Sequence, residues 1–432
     1  MHSRPFLDEL AWRGLLNQHT EGVTEALKAG QMSGYCGFDP TADSLHVGSL
    51  VPIMGLVHLQ RAGHKPVALV GGGTGLIGDP SGRSSERPLA EIAVIEANAV
   101  GIHRQLERFL DFSGPNAASM RNNADWLVPL QAVPFLRDVG KHFGINYMLA
   151  KESVKSRLDE GITFTEFAYM LLQAYDFLEL QRRYGVTLQI GGSDQWGNIT
   201  AGTELIRRTL GIAAHGVTLP LVTRSDGSKF GKSEAGNVWL DPKRTTPYRF
   251  YQFWINADDR DASKYLRYFT LMEREEVEAL DRLLADRPEG REAQAALAFD
   301  VTSRVHGDDA ARTARDVSRQ LFDRKADPRT LSPAALQVLR DEIPFKRLAA
   351  VRDVSLETAE QTVQASVLDM LVETGLVKSK GEARRQLQQG AVTVNGRRLG
   401  AEEQFVSATE AIAGSSYLIR KGSRDIALVE LS

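Results

Sequence analysis

The stretch GFDPTADSLHVGS at 37–49 combines a predicted strand end, a polar turn and a predicted helix start. His46 comes just before the N-terminus of that helix, where free N–H groups and the helix dipole attract phosphate. His46 and Thr41 can add hydrogen bonds to a triphosphate, and Gly48 lets an adenine ring approach the backbone closely. Taken alone, the stretch also fits a plain capping loop, so it does not decide the chemistry.

A second stretch, KFGKS at 229–233, places Lys229 and Lys232 after the turn signal Asp226-Gly227, on a predicted exposed loop. Two mobile cations that meet a triphosphate at a helix N-terminus suit adenylation, because the attacking carboxylate and the leaving pyrophosphate are both anionic. Solvated surface charge is the ordinary alternative for either lysine alone. The two stretches together predict an ATP-adenylating site that needs no protein nucleophile.

A third group of polar residues falls on one predicted helix. Thr163 and Glu166 form a capping box that opens it, and Tyr169, Gln173 and Asp176 follow at i, i+4 and i+7. The three side chains therefore share one face of an otherwise apolar helix. Spacing alone leaves two interpretations open, a solvated face or a polar patch that lines a pocket.

Two further features are predicted not to carry the chemistry. Residues 73–78 match the dinucleotide-binding pattern G-x-G-x-x-G, but the loop continues through Asp79 to Gly82 and does not open directly into a helix. Cys36 is the only cysteine, and it has no evident base partner, so we interpret it as a small strand residue near the ribose rather than as a nucleophile.

The elements that position these groups indicate an α/β fold. Residues 32–37, 66–71 and 187–190 read as strands of a mainly parallel, Rossmann-like sheet, two of which lead into glycine-rich loops. Ligands bind beyond the carboxyl ends of such strands. We predict a catalytic domain over 1–225, a helical domain with the KFGKS loop over 226–345, a linker over 346–365 and a small α+β domain over 366–432.

Composition limits the remaining possibilities. The chain has 432 residues, 42% apolar and 25% charged, with a formal net charge of −3, which is typical of a globular protein of two or three domains without a global basic field. No leader segment and no long apolar run stand out. A single cysteine excludes a disulfide framework and favours the cytoplasm.

The last domain carries a local basic patch despite the slightly acidic total. Ser379 and Glu382 form a capping box, Gly390 ends the helix, and Asn395-Gly396 is a hairpin signal. A helix plus a hairpin with six cations suits a nucleic-acid backbone, although such a run is often only a solvated face. The predicted RNA-binding residues are Lys378, Lys380, Arg384, Arg385, Arg397 and Arg398.

Read together with GGSDQWGN at 191–198, these stretches make the chain resemble class I aminoacyl-tRNA synthetases, and among them the bacterial tyrosyl-tRNA synthetases. The resemblance covers essentially the whole chain. It implies a homodimeric ligase that joins L-tyrosine to tRNA(Tyr) through tyrosyl-adenylate. ATP with Mg²⁺ is then a substrate, and neither a tightly bound cofactor nor a protein metal site is expected. The helical domain corresponds to the anticodon-binding domain of that family, and the last domain to its small RNA-binding domain.

The resemblance also assigns residues. Asp176 and Tyr35 would hold the phenolic hydroxyl, and Asp79, Tyr169 and Gln173 the ammonium group, with Gln195 and Asp39 near the amino acid. The residues that would act in catalysis are His46, Thr41, Lys229, Lys232, Arg83 and Arg87. Those that would bind ATP are Gly37, Thr41, His46, Gly48, Ser49, Gly192, Asp194, Lys229, Phe230, Gly231, Lys232 and Ser233.

Two positions depart from the family pattern. Ser49 stands where histidine or asparagine normally ends the first motif, and Arg83 stands where lysine is common, a change that keeps the charge but alters the geometry. Two alternatives stay open on the same scaffold. A non-catalytic RNA-binding protein should lack the ATP-site residues, and a tryptophanyl enzyme should lack the Tyr35 and Asp176 pair and the basic C-terminal domain.

Overall fold

The computed structural model describes residues 4–79, 81, 91–155, 161–233, 236–323, 325–354 and 361–432. The chain forms two compact units, Met1–Thr246 with Phe253–Val305, and Pro247–Gln252 with His306–Ser432. The predicted boundaries at 225, 345 and 365 do not coincide with this division, and the functional division of the chain into domains stays a prediction.

The first unit is built on a six-stranded sheet. Its described strands are β1 (Gln18–His19), β2 (Ser33–Phe38), β3 (Lys65–Val70), β4 (Ser119–Asn122), β5 (Leu188–Gly192) and β6 (His215–Leu219), followed by a small hairpin of β7 (Lys232–Ser233) and β8 (Gly236–Asn237). The order is β1-β6-β5-β2-β3-β4, parallel except for β1 against β6. The strand order changes direction between β2 and β5, and a crevice at that point is where doubly wound sheets bind ligands.

Fourteen helices are described up to residue 306. They are α1 (Phe6–Arg13), α2 (Val23–Ala29), α3 (Leu50–Arg61), α4 (Ile92–Leu106), α5 (Ala124–Leu127), α6 (Ala132–Asp138), α7 (Ile145–Leu149), α8 (Glu152–Lys155), α9 (Phe164–Tyr184), α10 (Trp196–Leu210), α11 (Pro247–Ile255), α12 (Asp259–Phe269), α13 (Arg274–Asp286) and α14 (Glu292–His306). Of these, Pro247–Gln252 of α11 and His306 of α14 belong to the second unit. All five residues of β6 and five of the six in β3 are buried, as expected for parallel strands that are covered on both faces.

Local sequence signals explain where the long helix α9 begins and ends. Thr163 Oγ1 accepts a hydrogen bond from the Glu166 backbone N–H at 3.3 Å, which satisfies one of the unpaired donors of the first turn. Gly185 follows the last helical residue with a φ of 67°, a left-handed conformation that glycine adopts without cost. Both signals confirm the predicted helix.

In the described part of the second unit from residue 306 onward, helices α15 (Asp308–Phe322) and α16 (Pro333–Glu342) precede the sheets. Helices α17 (Val367–Glu373) and α18 (Lys380–Gln388) pack with β9 (Phe345–Leu348), β10 (Val351–Val354), β11 (Gln361–Ser366), β12 (Val392–Val394), β13 (Arg397–Arg398), β14 (Phe405–Ser407), β15 (Ser416–Lys421) and β16 (Asp425–Leu431). The sheet orders are β13-β12-β15-β16-β9 and β10-β11-β14. This α+β module surrounds its own buried core.

The range 346–365, which we predicted to be a linker, contains regular secondary structure in its described part. Strand β10 lies entirely within it, as does most of β11, and β9 pairs in parallel with the final strand β16. The partner of β9 is the last strand of the chain, so the weak local pattern could not reveal the pairing. The Asn395-Gly396 turn is confirmed, with φ of 48° and 82° between β12 and β13.

Within the ranges that the structure describes, no helix has both the length and the apolar character required to span a membrane.

Candidate active site

A cavity of about 400 Å³ lies at the carboxyl ends of β2 and β5, in the crevice where the strand order reverses. It brings together fourteen of the residues predicted from the sequence. These are Tyr35, Gly37, Asp39, Thr41, His46, Gly48, Ser49, Asp79, Tyr169, Gln173, Asp176, Gly192, Asp194 and Gln195. The polar stripe on α9 is therefore a pocket lining and not a solvated face.

The deep part of the cavity holds Tyr35 and Asp176, which are 1% and 2% exposed. Asp176 accepts hydrogen bonds from Asn123 Nδ2 at 2.9 Å and Trp126 Nε1 at 2.7 Å. Burial raises the pKa of Asp176 to about 7 despite these two bonds, which favour the ionised form. The Tyr35 hydroxyl has no hydrogen-bond partner among the described residues, and burial and the Asp176 charge raise its pKa. A ligand hydroxyl would pair with both groups.

Asn123 was missed by the sequence analysis, although it connects several parts of the pocket. Its Oδ1 accepts from the Gly73 backbone N–H at 2.7 Å, while its Nδ2 donates to Asp176 and also to Thr74 Oγ1 at 2.9 Å. Trp126 follows one turn later, on α5. The available signal was position, because Asn122-Asn123 stands directly at the carboxyl end of β4, beside β3 in the sheet.

A second polar cluster lies around Asp79, which the dinucleotide-like stretch leads into. Thr74–Leu76 forms a single 3-10 turn, and the next described α-helix begins only at Ile92, so the stretch lacks the helix start of a dinucleotide site. Asp79 Oδ2 accepts from Gln195 Nε2 at 2.7 Å. The pKa of Asp194 is raised by burial and by the nearby charge of Asp79.

Asp39 fixes the same side of the cavity from the end of β2. Its Oδ1 accepts from Thr74 Oγ1 at 2.8 Å and its Oδ2 from the Tyr169 hydroxyl at 3.1 Å. Burial, together with Asp39, Asp79 and Asp176, raises the pKa of Tyr169, so its hydroxyl keeps its proton and acts as a donor. Carboxylates and hydroxyls around one space form a suitable environment for an ammonium group.

The opposite side of the cavity is formed by the first motif and the start of α3. His46 Nδ1 accepts from the Gly48 backbone N–H at 3.0 Å, and partial desolvation by the surrounding protein lowers the pKa of His46, although the side chain remains exposed at the surface. The imidazole is therefore neutral near pH 7. A Cβ on Gly48 would lie 2.7 Å from the His46 ring, which is a second reason for glycine there. Gly48 and Ser49 line the cavity at a helix N-terminus, as a phosphate site requires.

The KFGKS loop lies beside this motif. Gly231, at a φ of 84°, lies against Val47 and Gly48, and the backbone N–H of Val47 donates to the Val238 carbonyl at 3.0 Å. Lys229 and Lys232 are exposed and do not line the cavity in this arrangement. Phe230 is held by four aromatic rings of α11 and α12, with Phe269 stacked at 5.3 Å. The loop is thus anchored by its aromatic residue while its cations stay in solvent.

Cys36 lines the cavity as a buried residue of β2, and burial raises the pKa of its thiol to about 12. Such a thiol stays protonated near neutral pH and is a poor nucleophile. Arg83 and Arg87 lie outside the described residues, as does the side chain of Ser233. The described residues contain no cluster of three or more His, Cys, Asp or Glu placed to hold a metal ion.

The six predicted RNA-binding residues lie in the second unit, and their cations differ in their surroundings. Lys380 pairs with Asp369 at 2.6 Å, and Arg397 pairs with Glu403 at 2.7 Å and Glu410 at 3.1 Å. Arg398 donates to the Gly390 carbonyl. The exposed side chains of Lys378, Arg384 and Arg385 have no ion pair among the described residues. These three are the cations most available to an external anion.

The chain matches the family described as tRNA synthetases class I (W and Y) over residues 27–323. Residues 348–429 match the tyrosine–tRNA ligase SYY-like C-terminal domain. The protein therefore belongs to the class I aminoacyl-tRNA synthetases, in the group for tryptophan and tyrosine.

Within that group the chain belongs to the bacterial tyrosyl-tRNA synthetases. It is 50% identical to the tyrosine–tRNA ligase of Bacillus caldotenax over 98% of this chain and 99% of the relative, and 50% identical to that of Anaeromyxobacter dehalogenans with the same coverage. The truncated mitochondrial tyrosyl-tRNA synthetase of Aspergillus nidulans superposes with a TM-score of 0.67 at 29% identity, over 74% of this chain and 94% of that one. A tryptophanyl-tRNA synthetase from Encephalitozoon cuniculi shares the fold at 14% identity.

The raised pKa of Asp176 predicts a pH dependence of tyrosine use. In the empty pocket the carboxyl group is mainly protonated below about pH 7, and the ionised form is the stronger acceptor of a hydrogen bond from the phenolic O–H. As pH rises from about 6 to about 8, kcat/KM for tyrosine in ATP–pyrophosphate exchange should therefore rise about tenfold. The Asp176→Asn variant should be less active and lack this rise. Parallel pH profiles for the two proteins would contradict the assignment.

Proposed function

We propose that the cavity between β2 and β5 is where this tyrosine–tRNA ligase activates L-tyrosine with ATP. The observation that carries the proposal is the buried pair at its deep end, the Asp176 carboxylate held by two donors and the partnerless Tyr35 hydroxyl. The phenolic hydroxyl of tyrosine would donate to Asp176 and accept from Tyr35. Phenylalanine would leave the buried Tyr35 hydroxyl without a partner, which costs about 1–3 kcal/mol, and would give Asp176 no further donor beyond Asn123 and Trp126.

The remaining contacts of the amino acid follow from the second polar cluster. Asp79, Tyr169 and Gln173 would hold the ammonium group, with Asp39 and Gln195 supporting them through the hydrogen bonds already described. This leaves the carboxylate of tyrosine directed toward the nucleotide. Positioning of the two reactants is a large part of what the site contributes.

The first reaction step joins the tyrosine carboxylate oxygen to the α-phosphorus of ATP and releases pyrophosphate. Mg²⁺ enters with ATP as part of the substrate. His46, Thr41 and the start of α3 would hold the phosphates, with Gly37, Gly192 and Asp194 near the nucleoside. Lys229 and Lys232, together with Arg83 and Arg87, would neutralise charge on the leaving group, which stabilises a transition state of this kind.

In the second step a ribose hydroxyl at the 3′ end of tRNA(Tyr) attacks the carbonyl of tyrosyl-adenylate. An ester forms and AMP leaves with the bridging oxygen. We place this reaction in the cytoplasm, which fits a chain whose single cysteine is a buried free thiol.

ATP–pyrophosphate exchange tests the activation step directly, with tyrosine, phenylalanine or tryptophan as the amino acid. We expect exchange with tyrosine alone. Lys232→Ala should slow exchange by about 100-fold, because a charge that acts in the transition state is lost, while the Kd of tyrosine changes less than about twofold. Lys243→Ala, an exposed lysine on a neighbouring segment, is the matched control.

The other outcomes of the same assay are decisive. Exchange with tryptophan would move the assignment to a tryptophanyl enzyme. No exchange by folded protein that still binds tRNA would favour a non-catalytic RNA-binding protein. Equal loss of tyrosine binding and exchange in Lys232→Ala would mean that the loop supports the fold rather than the chemistry.

We further propose a homodimer formed through the first unit. Large apolar side chains that are exposed concentrate between residues 128 and 164, and Val133 and Phe164 are 77% and 76% exposed. Apolar surface of this kind marks an interaction site, and most soluble oligomers pair identical surfaces of two copies.

Sedimentation of the full chain tests the dimer. The unaltered protein should sediment as a dimer at micromolar concentration. Val133→Asp should raise the dimer dissociation constant by about 100-fold, because a charge would be buried in the interface. Val100→Asp, on an exposed part of α4, should leave it unchanged. A monomer in the unaltered protein, or equal effects of the two variants, would overturn the proposal.

We also propose that the basic patch of the second unit binds the tRNA backbone, mainly through Lys378, Arg384 and Arg385. Lys380, Arg397 and Arg398 would contribute less, because each already has a partner in the protein. A released counterion for each phosphate contact gives such binding a strong dependence on salt.

The double variant Arg384→Ala/Arg385→Ala should weaken tRNA(Tyr) binding about tenfold and reduce the slope of log K against log salt by about 2. Arg397→Ala is the comparison, with a smaller loss because its charge is balanced by two glutamates. Filter binding over a range of salt concentrations gives both quantities. Equal losses in the two proteins would show that the ion pairs do not decide which cations meet RNA.

A further inference from the structure

Asn198 is a buried polar residue next to the cavity that has no role in the assignments above. It is 3% exposed, sits in the first turn of α10 and is not among the residues that line the cavity. Its Nδ2 donates to Gln173 Oε1 at 2.9 Å and to Gln195 Oε1 at 3.2 Å, and lies 3.5 Å from Ser81 Oγ. Asn198 therefore contacts the residues around the ammonium site without facing the ligand.

The hydrogen bonds of this cluster run in one direction. The Asp79 carboxylate can only accept, so Gln195 must turn its Nε2 toward Asp79 and its Oε1 away. That Oε1 then needs donors, which are Gln173 Nε2 at 3.2 Å and Asn198. Because Gln173 has used its Nε2 in this way, its Oε1 is left to accept from Asn198.

This direction decides which atom Gln173 can offer a ligand. A carbonyl oxygen has two lone pairs, and Asn198 occupies one of them on Gln173, which leaves the other for an N–H of the ligand. If the Gln173 amide turned over, an N–H group would replace that oxygen and would repel an ammonium group. Gln173 lines the cavity, so its orientation matters for binding.

We propose that Asn198 is a positioning residue that fixes the amide orientations of Gln173 and Gln195 for recognition of the substrate ammonium group. The inference rests on the proposed role of Asp79 and Gln173 at that group. An asparagine is suited to the position because it supplies two hydrogens from one atom. Aspartate has the same shape but lacks that pair of donors. Leucine has nearly the same shape and no hydrogen-bond donor in its side chain.

The test compares two ligands of the full-length protein, tyrosine and 3-(4-hydroxyphenyl)propanoate, which keeps the phenol and carboxylate but lacks the ammonium group. Asn198→Ala and Asn198→Leu should each raise the Kd of tyrosine about tenfold, and change the Kd of the analogue less than about twofold. KM for tyrosine in exchange should rise in parallel, while kcat and KM for ATP stay nearly constant. Two variants are used so that a cavity left by alanine is not mistaken for the loss of donors.

Thr203→Ala is the matched control on the same helix, since its hydroxyl donates to the Thr200 carbonyl at 3.0 Å, away from the cluster. It should change neither Kd. If both Asn198 variants weaken the two ligands equally, or weaken neither, the inference is wrong. A third variant, Asp79→Asn, distinguishes failure of the proposed ammonium site from failure of the proposed role of Asn198. If Asp79→Asn also changes the Kd of tyrosine and the Kd of the analogue by the same factor, the ammonium site itself is misplaced. If Asp79→Asn weakens tyrosine more than the analogue and the Asn198 variants do not, only the role of Asn198 is overturned.

Discussion

A carboxylate that is only 2% exposed must be met by hydrogen-bond donors, and Asn123 and Trp126 supply them to Asp176. Asn123 does more than donate to Asp176, because its other hydrogen bonds hold Gly73 and Thr74 in place. Thr74 in turn donates to Asp39. One buried charge thus links the loops that follow β2, β3 and β4 to helix α9. The shape of the pocket depends on that charge being satisfied.

The same reasoning explains why part of the site could be predicted from sequence. The glycine-rich stretches stand at the carboxyl ends of β3 and β5, and a parallel sheet brings such ends to one edge. The stripe of Tyr169, Gln173 and Asp176 follows helical periodicity, so its three members had to share a face. What the pattern could not supply was the surface opposite that face. The structure shows that this face borders the cavity, so the stripe lines a pocket and is not a solvated face.

Other residues could not be found because their partners are distant in the chain. Asn123 belongs to no motif, and Asn198 is the last residue of the GGSDQWGN stretch, which by itself does not reveal its role. Each acquires its role only when the sheet and α9 bring Asp176 or Gln173 to it. Strand β9 was missed for a similar reason, since its partner β16 is the last strand. Local propensity gives weak information about such strands, whose stability comes from cross-strand neighbours.

In the KFGKS loop one aromatic residue is held by packing while the two lysines stay exposed. Cations that neutralise a leaving pyrophosphate are useful only while that charge develops, and permanent burial of two lysines without partners would cost more than the fold could supply. The structure instead packs the half-buried aromatic residue between them against other rings. Phe230 packs against Phe253, Trp254, Tyr265 and Phe269, and Gly231 lies against Val47 and Gly48 of the first motif. The hydrophobic contact fixes the middle of the loop, while Lys229 and Lys232 on either side of Phe230 stay exposed, which suits the role at the leaving pyrophosphate that we propose for them.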